Sequence, residues 1–283
     1  MQKQSYRIDL SIPQDHYETV IAECIMLGMA GNEEVPAGDR MVLKVYFADQ
    51  ASVETATARL KTDSEVEIIT VELVENQDWL AKWRESMEPA HLAEEFWVSP
   101  TWLPPPESAK HWIKIEPKMA FGTGHHETTR LAAAEIIACR DTVKNSRILD
   151  IGTGSGVLCF TADACGAASC LGVEIDAQCC ENLAENRRDN AAKGRVTFAI
   201  GSIDSFTKNA SFNFVVMNML ITESAPLLQG VSDFLLPGGT LIWSGILGSE
   251  ADEATEGAQA AGFALVTDRR ENEWWCGRFE SKR

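Results

Sequence analysis

The chain has 283 residues and sets 25 Lys and Arg against 42 Asp and Glu, a formal net charge of −17. A balance this acidic, with no clustered basic stretch, argues against a nucleic-acid binder, because phosphate backbones are held largely by Lys and Arg. With 45% apolar residues the composition supports a packed core and excludes disorder of the chain as a whole.

The start, Met1-Gln-Lys-Gln-Ser-Tyr-Arg, lacks the basic region, apolar run and cleavage site of a secretory signal, so the expectation is a cytoplasmic protein. Apolar runs such as Phe234 to Leu236 and Thr240 to Trp243 fall far short of the ~20 residues that span a bilayer, and no membrane segment is expected. The eight cysteines show no spacing that suits zinc. They are expected to be reduced, mostly buried thiols, with no metal site.

The first elements alternate. Tyr6 to Ile12 reads as a strand, Asp15 to Leu27 as a helix, Met41 to Phe47 as a strand, Ala51 to Lys61 as a helix and Val66 to Val74 as a strand. Gly31-Asn32 and Pro36-Ala-Gly-Asp39 break the chain before the middle strand, and Thr62-Asp-Ser64 follows the second helix. One more short strand within Met29 to Val35 completes a βαββαβ pattern, an α+β module of ferredoxin-like type. It carries no catalytic constellation, which points to recognition or docking.

Asn76 to Leu92 reads as a helix stopped by Pro89, with Trp79, Leu80 and Trp83 at helical spacing. The organisation is thus an N-terminal α+β domain over residues 1–75, a helical linker over 76–95 and a second domain over 96–283. Trp79, Trp83, Trp97 and Trp102 gather around the linker, either as packing between domains or as a peptide-binding face. Phe96 to Val98 and Trp112 to Ile115 are short strands, and from Thr128 onward helix and strand alternate in units long enough for parallel crossovers. That pattern predicts a doubly wound, Rossmann-like α/β sheet.

Arg147-Ile-Leu-Asp-Ile-Gly-Thr-Gly-Ser-Gly156 is an apolar strand running into a glycine turn, with Val157 to Cys165 as the following helix. Ligands of open α/β sheets bind outside the carboxyl ends of the strands, and Gly152, Gly154 and Gly156 would leave that approach bare of Cβ atoms. The next strand, Cys170 to Ile175, carries Glu174, placed to accept hydrogen bonds from both hydroxyls of a ribose. A nicotinamide fingerprint wants a third small residue where Val157 stands. S-adenosylmethionine, which has no phosphate, fits the G-x-G-x-G spacing better. A third apolar strand, Asn213 to Met217, ends at Asn218, which either faces the same cleft or caps the next helix. Phe121 either lies near the cofactor or belongs to the core.

Met119-Ala-Phe-Gly-Thr-Gly-His-His-Glu-Thr-Thr-Arg-Leu131 resembles the Ala-Phe-Gly-Thr-Gly-Thr-His-Pro-Thr-Thr segment of the ribosomal protein L11 methyltransferase family. The resemblance continues through Asp150 to Gly156, Asn218-Met-Leu220, Leu241-Ile-Trp-Ser-Gly-Ile-Leu247 and Asn272-Glu-Trp-Trp275, and reaches the N-terminal module. It implies a substrate-recognition domain, a helical linker and a methyltransferase domain that takes S-adenosylmethionine and releases S-adenosylhomocysteine. Carried over by position, cofactor contacts fall on Thr129, Gly152, Glu174 and Asn218. The family usually has Asp where Glu174 stands, and His125 and Glu127 replace its Thr and Pro.

The implied reaction is methyl transfer to lysine side-chain or N-terminal amines of a basic ribosomal protein. Asn218 and His126 are the catalytic candidates. An imidazole titrates near neutrality, which suits His126 as a base. The other reading is a loop histidine that hydrogen-bonds the backbone and shapes the pocket. An amine desolvated beside a sulfonium loses its proton more readily, so no dedicated base is required. The net charge of −17 would attract a Lys-rich partner, or merely aid solubility. Alternatives are a lysine methyltransferase acting on another protein, a small-amine methyltransferase, a catalytically silent S-adenosylmethionine-binding protein, and a nicotinamide oxidoreductase.

Overall fold

A computed structural model of the chain describes residues 4–75, 84, 87–118, 121–191, 194–207 and 211–283. It divides into two units, Met1–Met87 and Glu88–Arg283. In the first, strands β1 (Gln4–Pro13), β2 (Met29–Ala37), β3 (Arg40–Phe47) and β4 (Glu67–Glu75) form an antiparallel sheet in the order β2-β3-β1-β4. Alternate residues Ile8, Leu10 and Ile12 of β1 and Leu43, Val45 and Phe47 of β3 are fully buried. They pack with Val20 and Cys24 of helix α1 (Tyr17–Met26) and with Val53, Ala56 and Leu60 of α2 (Gln50–Leu60). Asp49 caps α2 by accepting from the Ser52 amide at 2.9 Å.

The break expected at Gly31 is instead an irregularity in the β2–β3 pairing, because the extra residue is absorbed as a shift of register between Met29 and Gly31. Pro36 is tolerated within β2 because that strand lies at the edge of the sheet. Most of the linker helix, with Trp79 and Trp83, lies outside the described residues. Its end does not hold: Ala90–Ala93 is a strand, β5, paired antiparallel with β6 (Phe96–Ser99). Pairing with β6 supplies the backbone hydrogen bonds and overrides the helix preference of Ala-His-Leu-Ala, in which Ala and Leu are good helix formers. Strand β7 (His111–Lys114) joins β6 in parallel.

The second unit is built on a seven-stranded sheet with the order β10-β9-β8-β11-β12-β14-β13. Strands β8 (Arg147–Ile151), β9 (Ser169–Glu174), β10 (Val196–Ile200), β11 (Phe212–Asn218) and β12 (Leu235–Leu247) run parallel. The hairpin of β13 (Phe263–Glu271) and β14 (Trp274–Ser281) is added antiparallel to β12. Successive residues of the inner strands are buried on opposite faces, as a doubly covered parallel sheet requires. Ile148, Val216 and Ile242 join one core with helices α3 (Glu127–Ala138) and α4 (Val157–Ala164), while Leu149, Val215 and Leu241 join the other with α6 (Ala251–Ala260). Helix α5 (Cys180–Asp189) follows β9. The sequence-level expectation of a doubly wound domain joined to a smaller α+β domain agrees with this architecture. Strand order reverses about β8, and the crevice at such a reversal is where open α/β sheets bind ligands.

Candidate active site

The glycine turn leaves β8 at this reversal. Gly152, Gly154 and Gly156 have φ of 72°, 53° and 85°, left-handed geometry that side chains rarely adopt. Gly154 is the most constrained, since a Cβ there would sit 2.5 Å from the Phe121 carbonyl oxygen. The amides of Gly152 and Thr153 donate to the Val173 carbonyl at 2.9 and 3.1 Å, tying the turn to β9.

Glu174 closes the turn from the far side. Its Oε2 accepts from the Gly154 amide at 2.9 Å and its Oε1 from the Asp176 amide at 3.1 Å. Each oxygen keeps a lone pair, so the carboxylate that fixes the loop can still accept from a ligand. Beneath the turn, Asp150 accepts from the Thr153 hydroxyl at 2.6 Å and from the Cys159 thiol at 3.6 Å. Its other oxygen is buried with no hydrogen-bond partner among the described residues, and burial, with the Glu174 charge adding to it, pushes its pKa up to about 6.

The opposite wall comes from the segment before α3. The Phe121 carbonyl accepts from the Ser155 amide at 2.9 Å, and the Ser155 hydroxyl donates to the Gly122 carbonyl at 2.6 Å. His126 is the N-cap of α3, its Nδ1 accepting from the Thr128 amide at 3.3 Å and lying 2.9 Å from the Thr128 hydroxyl. A ring nitrogen that accepts from an amide carries no proton, which leaves Nε2 as the ring's donor in this arrangement. That geometry matches a histidine bonded to the local backbone.

Asn218 ends β11 and does not cap a helix, since the next helical turn is capped at Leu220. Its Nδ2 donates to the Thr129 hydroxyl at 3.4 Å, and its Oδ1 is buried with no hydrogen-bond partner among the described residues. Thr129 is fully buried behind it. Gly245, with φ of 87°, lets the backbone of Met219 approach, because a Cβ there would lie 2.4 Å from the Met219 carbonyl oxygen.

These walls enclose a cavity of about 810 Å³. Six residues expected from the sequence line it: Phe121, His126, Gly152, Gly154, Glu174 and Asn218. Thr129 and Gly156 stand outside the lining, one behind Asn218 and the other as the N-cap of α4. Phe121 is 55% exposed and so is not core. Sequence reasoning passed over Thr128, Ile175, Ile203, Gly245 and Trp274, which also line the cavity. Trp274 could have been found in the quoted Asn272-Glu-Trp-Trp275, but nothing in the sequence says which of its two tryptophans faces the cleft.

The lining contains three carboxylates, Glu174, Asp176 and Glu223, and neither Lys nor Arg. No cation is therefore present to neutralise a pyrophosphate, whereas a positively charged ligand is well matched. No group of His, Cys, Asp and Glu among the described residues is arranged to hold a metal ion. All eight cysteines are free, and Cys180 is exposed.

A family profile described as ribosomal protein L11 methyltransferase matches residues 11–282. A protein of that name from Syntrophotalea carbinolica is 28% identical over 298 residues, covering 95% of this chain and 96% of its own length. Its namesake from Thermus thermophilus is 37% identical over 203 residues, 72% of this chain and 77% of its own. The crystal structure of a ribosomal protein L11 methylase from Lactobacillus delbrueckii subsp. bulgaricus is 25% identical and superposes with a TM-score of 0.62, covering 70% of this chain and all of that one.

Proposed function

This chain belongs to the ribosomal protein L11 methyltransferase family, and from that premise we propose that it transfers methyl groups from S-adenosylmethionine to lysine or N-terminal amines of ribosomal protein L11. The observation that carries the reading is the lining of the cavity, which has three carboxylates, bare glycines and neither Lys nor Arg. S-adenosylmethionine, when bound, supplies a methyl group already activated on a positively charged sulfur.

The residues present fit that ligand. Glu174 retains a free lone pair on each oxygen for ribose hydroxyls, and the apolar side chains of Ile175 and Ile203 offer faces for the adenine ring. Gly152 and Gly154 allow close approach at the turn. Asn218 Oδ1, buried and unpaired, accepts an N–H of the incoming amine and so orients its lone pair toward the methyl group. His126 is read as a positioning residue, since its Nδ1 is engaged with Thr128. Alignment supplies most of the catalysis, because holding both reactants in line removes the entropy of bringing them together. An amine desolvated beside positive charge gives up its proton to solvent without a dedicated base. The N-terminal unit, matched by the family profile from residue 11 onward, is assigned to recognition of the protein acceptor.

The test is incubation of the purified protein with labelled S-adenosylmethionine and L11, beside Gly154→Arg, with methylated residues mapped by mass spectrometry. Methylation of lysine or N-terminal amines, lost in the variant, is expected. Cofactor binding without transfer to L11 would remove the substrate assignment, and no cofactor binding would remove the reading of the turn.

A further inference from the structure

Strand β7 is an edge of the three-stranded sheet, whose order is β5-β6-β7. Such an edge leaves a row of backbone amides and carbonyls without a partner strand. Toward β6, the Ile115 amide donates to the Ser99 carbonyl at 3.0 Å. On the other side the bonds come from asparagine side chains of α5. Asn190 Oδ1 accepts from the Lys114 amide at 2.9 Å, and its Nδ2 donates to the Lys114 carbonyl at 2.6 Å. Further along, Asn186 Oδ1 accepts from the Glu116 amide at 2.8 Å, and Asn182 Nδ2 donates to the Glu116 carbonyl at 2.9 Å. Asn182 and Asn186 lie within α5 and Asn190 is its C-cap, a spacing that puts them on one face. Asparagine is a poor helix former, so the row is explained by what it binds rather than by propensity.

The same row reaches the glycine turn. Asn186 is fully buried, and its Nδ2 donates to the Ser155 carbonyl at 3.0 Å. Accepting from an amide while donating to a carbonyl fixes which end of the side chain is oxygen. Ser155 is fully buried as well, and all its polar groups are engaged: the amide with Phe121, the hydroxyl with Gly122 and the carbonyl with Asn186. The turn and the wall segment are thus joined twice, directly through Ser155 and, upstream of Phe121, through Asn186 to Glu116. None of the three asparagines lines the cavity.

We propose that Asn186 is a positioning residue for the methyl donor: its one amide group holds the glycine turn and the wall segment in register, and so sets the affinity for S-adenosylmethionine without touching it. The proposal rests on the methyltransferase reading above and adds to it a residue outside the cavity. Gly152 and Gly154 line the cavity on one side of this joint and Phe121 on the other. With the amide group removed, the Ser155 carbonyl and the Glu116 amide are left buried without these partners, and turn and wall shift to hydrate them. A ligand that needs both in their original places must restore that arrangement as it binds, and its affinity falls accordingly. Asn190 provides the control, because it makes the same kind of paired bonds to the edge strand and none to the turn.

The test is calorimetric titration of S-adenosylhomocysteine into the full chain as wild type, Asn186→Leu and Asn190→Leu, with a thermal melt of each. Both variants should lose stability. The expected Kd rises about tenfold in Asn186→Leu and by less than about twofold in Asn190→Leu. An equal rise in the two variants, or none in Asn186→Leu, overturns the proposal. A second measurement needs no substitution and holds should Asn186→Leu fail to fold. Coupling between two sites is reciprocal, so S-adenosylhomocysteine bound to the wild type should slow hydrogen exchange at the Glu116 amide, which lies outside the cavity lining. Unchanged exchange there overturns the proposal too. S-adenosylmethionine binding to the wild type separates the two levels. If it binds and the Asn186 effects are absent, the positioning role alone falls; if it does not bind, the methyltransferase reading falls with it.

Discussion

Replacing Glu174 with Gln changes one atom and tests the donor side of the cleft. In the wild type the two carboxylate oxygens accept from two backbone amides, Gly154 at 2.9 Å and Asp176 at 3.1 Å, in a site only 9% exposed. A Gln oxygen serves one of these amides, and the other then faces an NH2 group that cannot accept. Loss of a charge-assisted hydrogen bond with its donor left buried costs about 1.5–3 kcal/mol. Because the amide concerned belongs to the turn that the ligand must approach, this cost is expected to appear in affinity as a rise in Kd for S-adenosylmethionine of roughly tenfold to 150-fold. Calorimetric titration of wild type, Glu174→Gln and Glu174→Asp gives the three values directly. Glu174→Asp keeps the charge and both acceptors on a stem one methylene shorter, and should fall between the other two. A Gln variant that binds within about twofold of wild type would refute the view that this carboxylate holds the turn.

Asp150 makes stability depend on pH. Its folded pKa is raised from the ordinary 3.8 to about 6, so the native state holds its proton more tightly than the unfolded chain. Its favourable contribution is complete below about 4 and lost as pH rises through about 6, a fall of roughly 3 kcal/mol at 1.36 kcal/mol per pH unit. Thermal unfolding between pH 5 and 8 should show that decline in the wild type and a flatter profile in Asp150→Asn; equal slopes would contradict it. Gly245→Ala forces a side chain into left-handed geometry and against the Met219 backbone, so it should lose at least about 1–2 kcal/mol of stability, read by denaturant melts, and displace Asn218. Of the eight cysteines, Cys180 is the exposed one, and a thiol reagent should label it first under native conditions; faster labelling of buried Cys159, whose pKa burial raises well above the usual thiol range, would count against the packing described.

The elements of the first unit were legible because burial there follows the simple periods. Ile8, Leu10 and Ile12 alternate, and the ends of β1, β3, α1 and α2 lie within one or two residues of the pattern, save that the first turn expected of α1 is a short 3-10 turn over Gln14–His16. The glycine turn was legible for another reason, since few sequences other than Gly-x-Gly-x-Gly satisfy three left-handed residues in five. Strand β5 was not legible. Ala90–Ala93 has no β-branched residue, and its conformation comes from pairing with β6, which local propensity does not contain. The wall of the cavity around Asn218 and Trp274 was hidden in the same way. Trp274 faces the cleft because Asn272 and Glu271 bind α3, and the support that Thr129 gives Asn218 joins residues in different elements.

The two sides of the cleft also differ in how far apart along the chain their partners lie. The bonds that shape the donor side, Gly154 to Glu174 and Ser155 to Gly122, span 20 and 33 residues. Those that shape the acceptor side, Asn218 to Thr129, Arg130 to Glu271 and Asn272 to Glu127, span 89, 141 and 145. Loop-closure entropy grows with span, and a chain leaving the ribosome presents its earlier residues first. Both partners of the Gly154–Glu174 and Ser155–Gly122 bonds are thus made before the last hairpin, whose Glu271 and Asn272 are needed to tie β13 and β14 to α3.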